Sequence, residues 1–121
     1  MFIAEGIRHF NEGEYFEAHE AWEGVWKNAT ESQEKHFLQG MIMIAAAFHH
    51  HRRKESAGTA KLLRRGLHIL AEYNEASLPI DKEDFLRSVT VFYEDFTSGR
   101  EGSSERGFPK IKGHIEDHGT S

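Results

Sequence analysis

Between Thr30 and Arg53 the chain reads "TESQEKHFLQGMIMIAAAFHHHRR", and its apolar residues fall on nearly every side of a helix. A helix of that kind would present apolar surface to water on several faces if it stood alone, so the fold must surround it. Thr30 and Gln33 have the spacing of a capping box, which predicts a helix from about residue 30 to about Arg53. Gly40 and Ala45 to Ala47 take bulk off its surface, so its neighbours are expected to approach closely. With 121 residues in all, there is material for one core around it.

The flanking segments supply the neighbours. Phe2, Ile3, Ile7 and Phe10 lie on one face of a short N-terminal helix. Asn11 and Glu14 then have capping-box spacing, with Phe10 placed to staple onto Tyr15, which predicts a helix from about Glu12 to Lys27. Ser56 is positioned to cap a further helix to about Asn74. Pro79 breaks the chain, and Asp81 caps a last helix with Ile80 and Phe85 as its staple and Phe85, Val89, Phe92 and Phe96 facing inward. Strand-like alternation is absent. The expected fold is therefore all-α, a single-domain multihelical bundle over residues 1–98 with four main helices plus a short N-terminal one. Trp22, Trp26, Ile42, Ala45, Leu63, Leu70, Val89 and Phe92 are its expected core. From residue 99 to 121 the chain turns to Gly, Ser and charge, a tail able to dock through "FPKIKGHI" by Phe108, Ile111 and Ile115.

Composition narrows the function classes. The longest apolar run, Met41 to Phe48, falls far short of the ~20 residues that span a bilayer, so no membrane partner is expected. "MFIAEGIRHF" lacks the pattern of a secretion signal, which makes the cytoplasm the expected location. With no cysteine, thiolate metal sites and cysteine nucleophiles are excluded, and histidine and carboxylate are left as the strong metal ligands. Net charge is −5 over the chain, yet the block from His49 to Leu70 is strongly basic. That block has no aromatic residues interleaved for base stacking, so nucleic acid is not the expected partner.

Successive helical residues rotate by roughly 100°, which sorts Glu14 to Lys27 into faces. Tyr15, Phe16, His19, Trp22, Glu23 and Trp26 share one sector, whereas Glu14, Glu17 and Glu20 lie opposite, toward water. His19 and Glu23 are thus polar residues in an apolar face, one turn apart and able to chelate one ion. Burying a carboxylate there is costly unless it is hydrogen-bonded, paired or metal-bound. Two readings stay open: a structural pair bonded to each other or to backbone, and a metal or small-ligand site. In the second, His19 and Glu23 are the metal ligands, His50 is a more distant candidate, and Tyr15, Trp22, Trp26, Gln39 and His49 line the pocket. Mixed imidazole and carboxylate donors do not choose one ion, so the candidate cofactor is a divalent zinc, manganese or nickel. An open coordination position would make a metal-dependent hydrolase conceivable. The competing class is a helical protein–protein interaction module, with a homo-oligomer among its forms.

The segments "FNEGEYFEAHEAWEGVW", "FLQGMIMIAAAFHH" and "GTAKLLRRGL" together resemble the bacterial and archaeal family called domain of unknown function 309, over roughly residues 8 to 70. Its short motif HxxxExxW falls on His19, Glu23 and Trp26, beside "FLQG" and the paired His49 and His50. The resemblance implies a small helical bundle and metal binding at the motif. It implies no reaction.

Overall fold

The computed structural model describes residues 3–73, 80–99 and 108–113. Five helices follow in chain order: α1 (Ala4–Asn11), α2 (Tyr15–Asn28), α3 (Ser32–Arg52), α4 (Ser56–Glu72) and α5 (Lys82–Thr97). Among the described residues there is no strand longer than a single bridge, between Ile80 and Gly113. The protein is an all-α bundle of four main helices preceded by a short one. No helix among the described residues is long and apolar enough to cross a membrane.

α3 is the centre. α2 packs on it from one side and α4 from another, with α1 on α2 and α5 on α4. Glycines set the α3–α4 approach: a Cβ on Gly66 would fall 2.7 Å from the Ile44 side chain and 3.2 Å from the Gly40 carbonyl oxygen. Only a residue without a side chain permits that distance. α1 is short but contributes the hub of the aromatic core. The Phe10 ring meets Tyr15, Trp22, Phe48 and Phe85 at centroid distances of 5.1–6.0 Å, mostly edge to face, the arrangement that ring quadrupoles favour.

The helix starts differ from the expected ones in instructive ways. α2 begins at Tyr15, because the chain turns at Gly13 with φ of 82°, a value that keeps residues 12 and 13 out of the helix. Asn11 therefore caps nothing. α3 begins at Ser32 after an extended Glu31, one residue later than a Thr30 cap requires, and no side chain caps it. Ser56 is the first residue of α4 rather than its cap, and the Thr59 hydroxyl donates to the Glu55 carbonyl at 2.9 Å. Asp81 does cap α5, accepting from the Asp84 amide at 3.1 Å, with Ile80 and Phe85 both buried beside it. The expected end of α4 at Asn74, the placing of Phe2 and the docking of Ile115 lie outside the described residues.

Six of the expected core residues are buried, but Trp26 and Ile42 are only half-buried. Trp26 lies in the last turn of α2, where one ring face is covered by the Lys35 ammonium, from the first turn of α3, at 4.1 Å rather than by apolar side chains. Ile42 belongs to a stripe along α3, Gln39, Ile42, Met43, Ala46, His49 and His50, in which no residue is buried. The central helix is therefore enclosed on three sides and open along one.

Asn11 has a different role. Its side-chain amide donates to the Ile111 carbonyl at 2.9 Å and accepts from the Ile111 amide at 2.7 Å, as a neighbouring strand would. The Lys110 ammonium donates to the Asn11 carbonyl, and the Asp81 amide to the Lys112 carbonyl. Ile111 is buried by these contacts, and the Phe108 ring packs against Tyr15, Phe48 and Phe92.

Candidate functional site: the open face between α2 and α3

α2 has the rotation that its apolar sector dictates. Tyr15, Ala18 and Trp22 are buried, Glu17 and Glu20 are exposed, and His19 and Glu23 sit half-buried at the boundary. Trp22 is anchored from behind, its indole N–H donating to the Ile3 carbonyl at 3.1 Å. Tyr15 is also held, with the Arg52 guanidinium 5.0 Å over its ring while Arg52 donates to the Gly13 carbonyl at 2.8 Å. Burial raises the Tyr15 hydroxyl pKa to about 12 against the opposing pull of Arg52. These rings form the wall behind the site and do not open into it.

In front of that wall stands Phe16, 46% exposed. Its ring stacks on His19 at 6.3 Å and 15°, and meets His49 of α3 at 5.5 Å. His49 in turn lies 6.2 Å from the ring of His50. The His50 Nδ1 is hydrogen-bonded to Glu55, which is held below the usual carboxylate range chiefly by that bond. His49 thus reaches α2 through Phe16, one turn before His19. Gln39, at the other end of the open stripe, is exposed.

The pair itself is not bonded as a structural pair would be. Among the described residues His19 and Glu23 share no hydrogen bond or ion pair, and His19 Nδ1 is a buried nitrogen with no partner. Other histidines are satisfied: His9 by Glu14 at 2.6 Å, and both His36 and His68 by Glu72 at 3.2 Å. As a donor set, an imidazole and a carboxylate suit a divalent cation, and their spacing on α2 suits chelation. Their number is smaller than expected: among the described residues no three His, Asp or Glu side chains are grouped to hold a metal ion. His50, committed to Glu55, is not brought to His19 and Glu23.

Helical periodicity assigns Phe16 to the inward sector, whereas the structure exposes it. The signal lies in its rotation of roughly 100° from Tyr15, which puts it at the sector's edge. A separate groove of about 430 Å³ runs between α5 and the docked segment, walled by Val91, Phe92, Phe108 and Pro109. It includes no residue of α2.

Fold and face together define a small all-α bundle carrying a polar pair on the open side of its central hairpin. By sequence the chain belongs, through residues 3–62, to the family described as Domain of unknown function (DUF309). It is also 34% identical over 83 residues to the uncharacterized protein YpuF of Bacillus subtilis (strain 168), a match covering 67% of this chain and 48% of that protein. The chain thus spans about half the length of the curated relative it matches.

Proposed function

We propose that the protein is a cytoplasmic binding domain that takes a small cation, a divalent metal ion foremost, at His19 and Glu23. The observation that carries this reading is the unpartnered, buried Nδ1 of His19. A buried polar atom left without a hydrogen bond costs about 1–3 kcal/mol, a cost that a bound ligand would offset. The sign of the ligand follows from α2, where Glu17, Glu20 and Glu23 stand against a single cationic side chain, Lys27. His19 and Glu23 would hold the ion, which would act there as a Lewis acid. Catalytic zinc sites ordinarily use three protein ligands. With two, binding is a better-supported reading than hydrolysis.

The test is thermal stability in zinc, manganese or nickel. At about 100 times the dissociation constant, a bound ion stabilises the native state by ~2.7 kcal/mol, raising Tm by several degrees. His19→Ala and Glu23→Gln should each remove that rise, and Glu20→Gln, on the exposed face, should keep it. A wild type that no ion stabilises sinks the cation reading.

A second reading is favoured by Phe16, whose exposed ring beside half-buried His49 suits a surface covered by a partner protein. Under it, Phe16→Ala would abolish partner binding without altering any response to metal.

A further inference from the structure

α4 and α2 carry charged faces of opposite sign that form no ion pair among the described residues. On α4, Lys61, Arg64 and Arg65 are exposed and form no ion pair among the described residues. The acids nearest them in sequence are already engaged, Glu55 with His50 and Arg53, and Glu72 with His36 and His68. On α2, Glu17 and Glu20 are exposed and equally unpaired. Both helices pack on α3 and make no substantial contact with each other, so one molecule cannot bring its own two faces together.

We propose that the α4 basic face of one molecule docks on the α2 acidic face of a second copy, a head-to-tail contact between unlike surfaces. The complement to each face is present on the same chain. Because the two surfaces differ, the contact leaves one free face of each kind on every dimer and extends to a ring or a chain. Nucleic acid is the other polyanion that α4 could meet. It fits less well, since α4 has no Phe, Trp or Tyr for base stacking and the chain as a whole carries −5. Contacts of this kind weaken steeply with salt, as the Debye length falls from about 30 Å at ~0.01 M to about 3 Å at ~1 M.

Sedimentation velocity of the full chain tests the contact, with far-ultraviolet circular dichroism confirming that each variant stays helical. The wild type should associate with rising concentration at ~0.01 M salt and be monomeric at ~1 M. Reversing α4 (Lys61→Glu, Arg64→Glu, Arg65→Glu) or α2 (Glu17→Lys, Glu20→Lys) should weaken association at least about tenfold, and Arg64→Glu alone should weaken it less. An equimolar mixture of the two reversed proteins should associate again, because each then offers the face the other lacks. A wild type monomeric at ~1 mM and low salt overturns the proposal. So does association that survives either reversal, or a mixture that stays monomeric. A monomeric wild type that binds a DNA or RNA duplex through α4 would hand that face to nucleic acid instead.

Discussion

Gly6 and Trp22 are matched across the α1–α2 contact: a Cβ on Gly6 would fall 2.5 Å from Cδ1 of the indole, and closer still to the nitrogen that bonds Ile3. The Trp22 ring is fully buried and has no room to withdraw. Gly6→Ala should therefore destabilise the fold by about 1–3 kcal/mol, the usual cost of overpacking. Gly24 is the control, since an added Cβ there meets nothing within 4 Å. Within α2, Gly24→Ala should stabilise by roughly 0.8–1 kcal/mol through helix propensity. Urea unfolding of both variants checks the opposite signs.

Asn11 closes the C-terminal segment onto the bundle through two hydrogen bonds to Ile111. Asn11→Ala leaves the amide and carbonyl of Ile111 without these partners and should cost about 1–3 kcal/mol. Its particular signature is local. Hydrogen exchange at Ile111 should accelerate, and trypsin should cut after Lys110 and Lys112 faster than in the wild type, whereas helices α2 and α3 keep their protection.

His51 connects stability to pH. Its ring lies 5.3–5.7 Å from Phe92, Phe96 and Phe108, and burial, helped by the positive charge of Arg52, lowers its pKa from 6.5. With the folded value below the unfolded one, the unfolded chain takes up the proton first as pH falls. The contribution is present above pH 6.5 and is lost as pH drops from there through the folded value. His51→Phe removes that proton site and keeps an aromatic ring. Between about pH 7.5 and about pH 5.5, the wild type should lose more stability in urea than this variant does. Equal losses would show that the cage does not act on the imidazole.

Phe16 separates binding from folding. It is 46% exposed, so Phe16→Ala should change stability by no more than ~0.5 kcal/mol, as for other surface substitutions. If the stacked ring helps to hold the His19 imidazole in place, the variant should need a higher zinc, manganese or nickel concentration for the same rise in Tm. A Tm response identical to that of the wild type would leave Phe16 to a protein partner.

The rotation of α2 is legible in the order of its residues. Tyr15, Ala18 and Trp22 recur at helical spacing, and once they face the core, Glu17 and Glu20 must face water, with His19 and Glu23 between. The Asp81 cap is legible for a similar reason: an aspartate just before an amphipathic segment acts within one turn and needs nothing distant. The Asn11 and Thr30 boxes follow the same local rule and fail. In each case the backbone ahead of the helix takes another course, through Gly13 at positive φ and through the extended Glu31.

The sequence alone determined the helical class, the number of helices and the placing of His19 and Glu23 on one edge of α2, because these depend on residues a turn or two apart. Tertiary structure alone decided which side of α3 stays open, that His49 reaches the site through Phe16, and that Asn11 binds Ile111, one hundred residues away in the chain. The periodicity of α3 is apolar on nearly all sides and so asks for neighbours everywhere. The number available, and the directions from which they arrive, are set by close fits such as Gly40 against Gly66 and Gly6 against Trp22, which join segments that carry no local sign of each other.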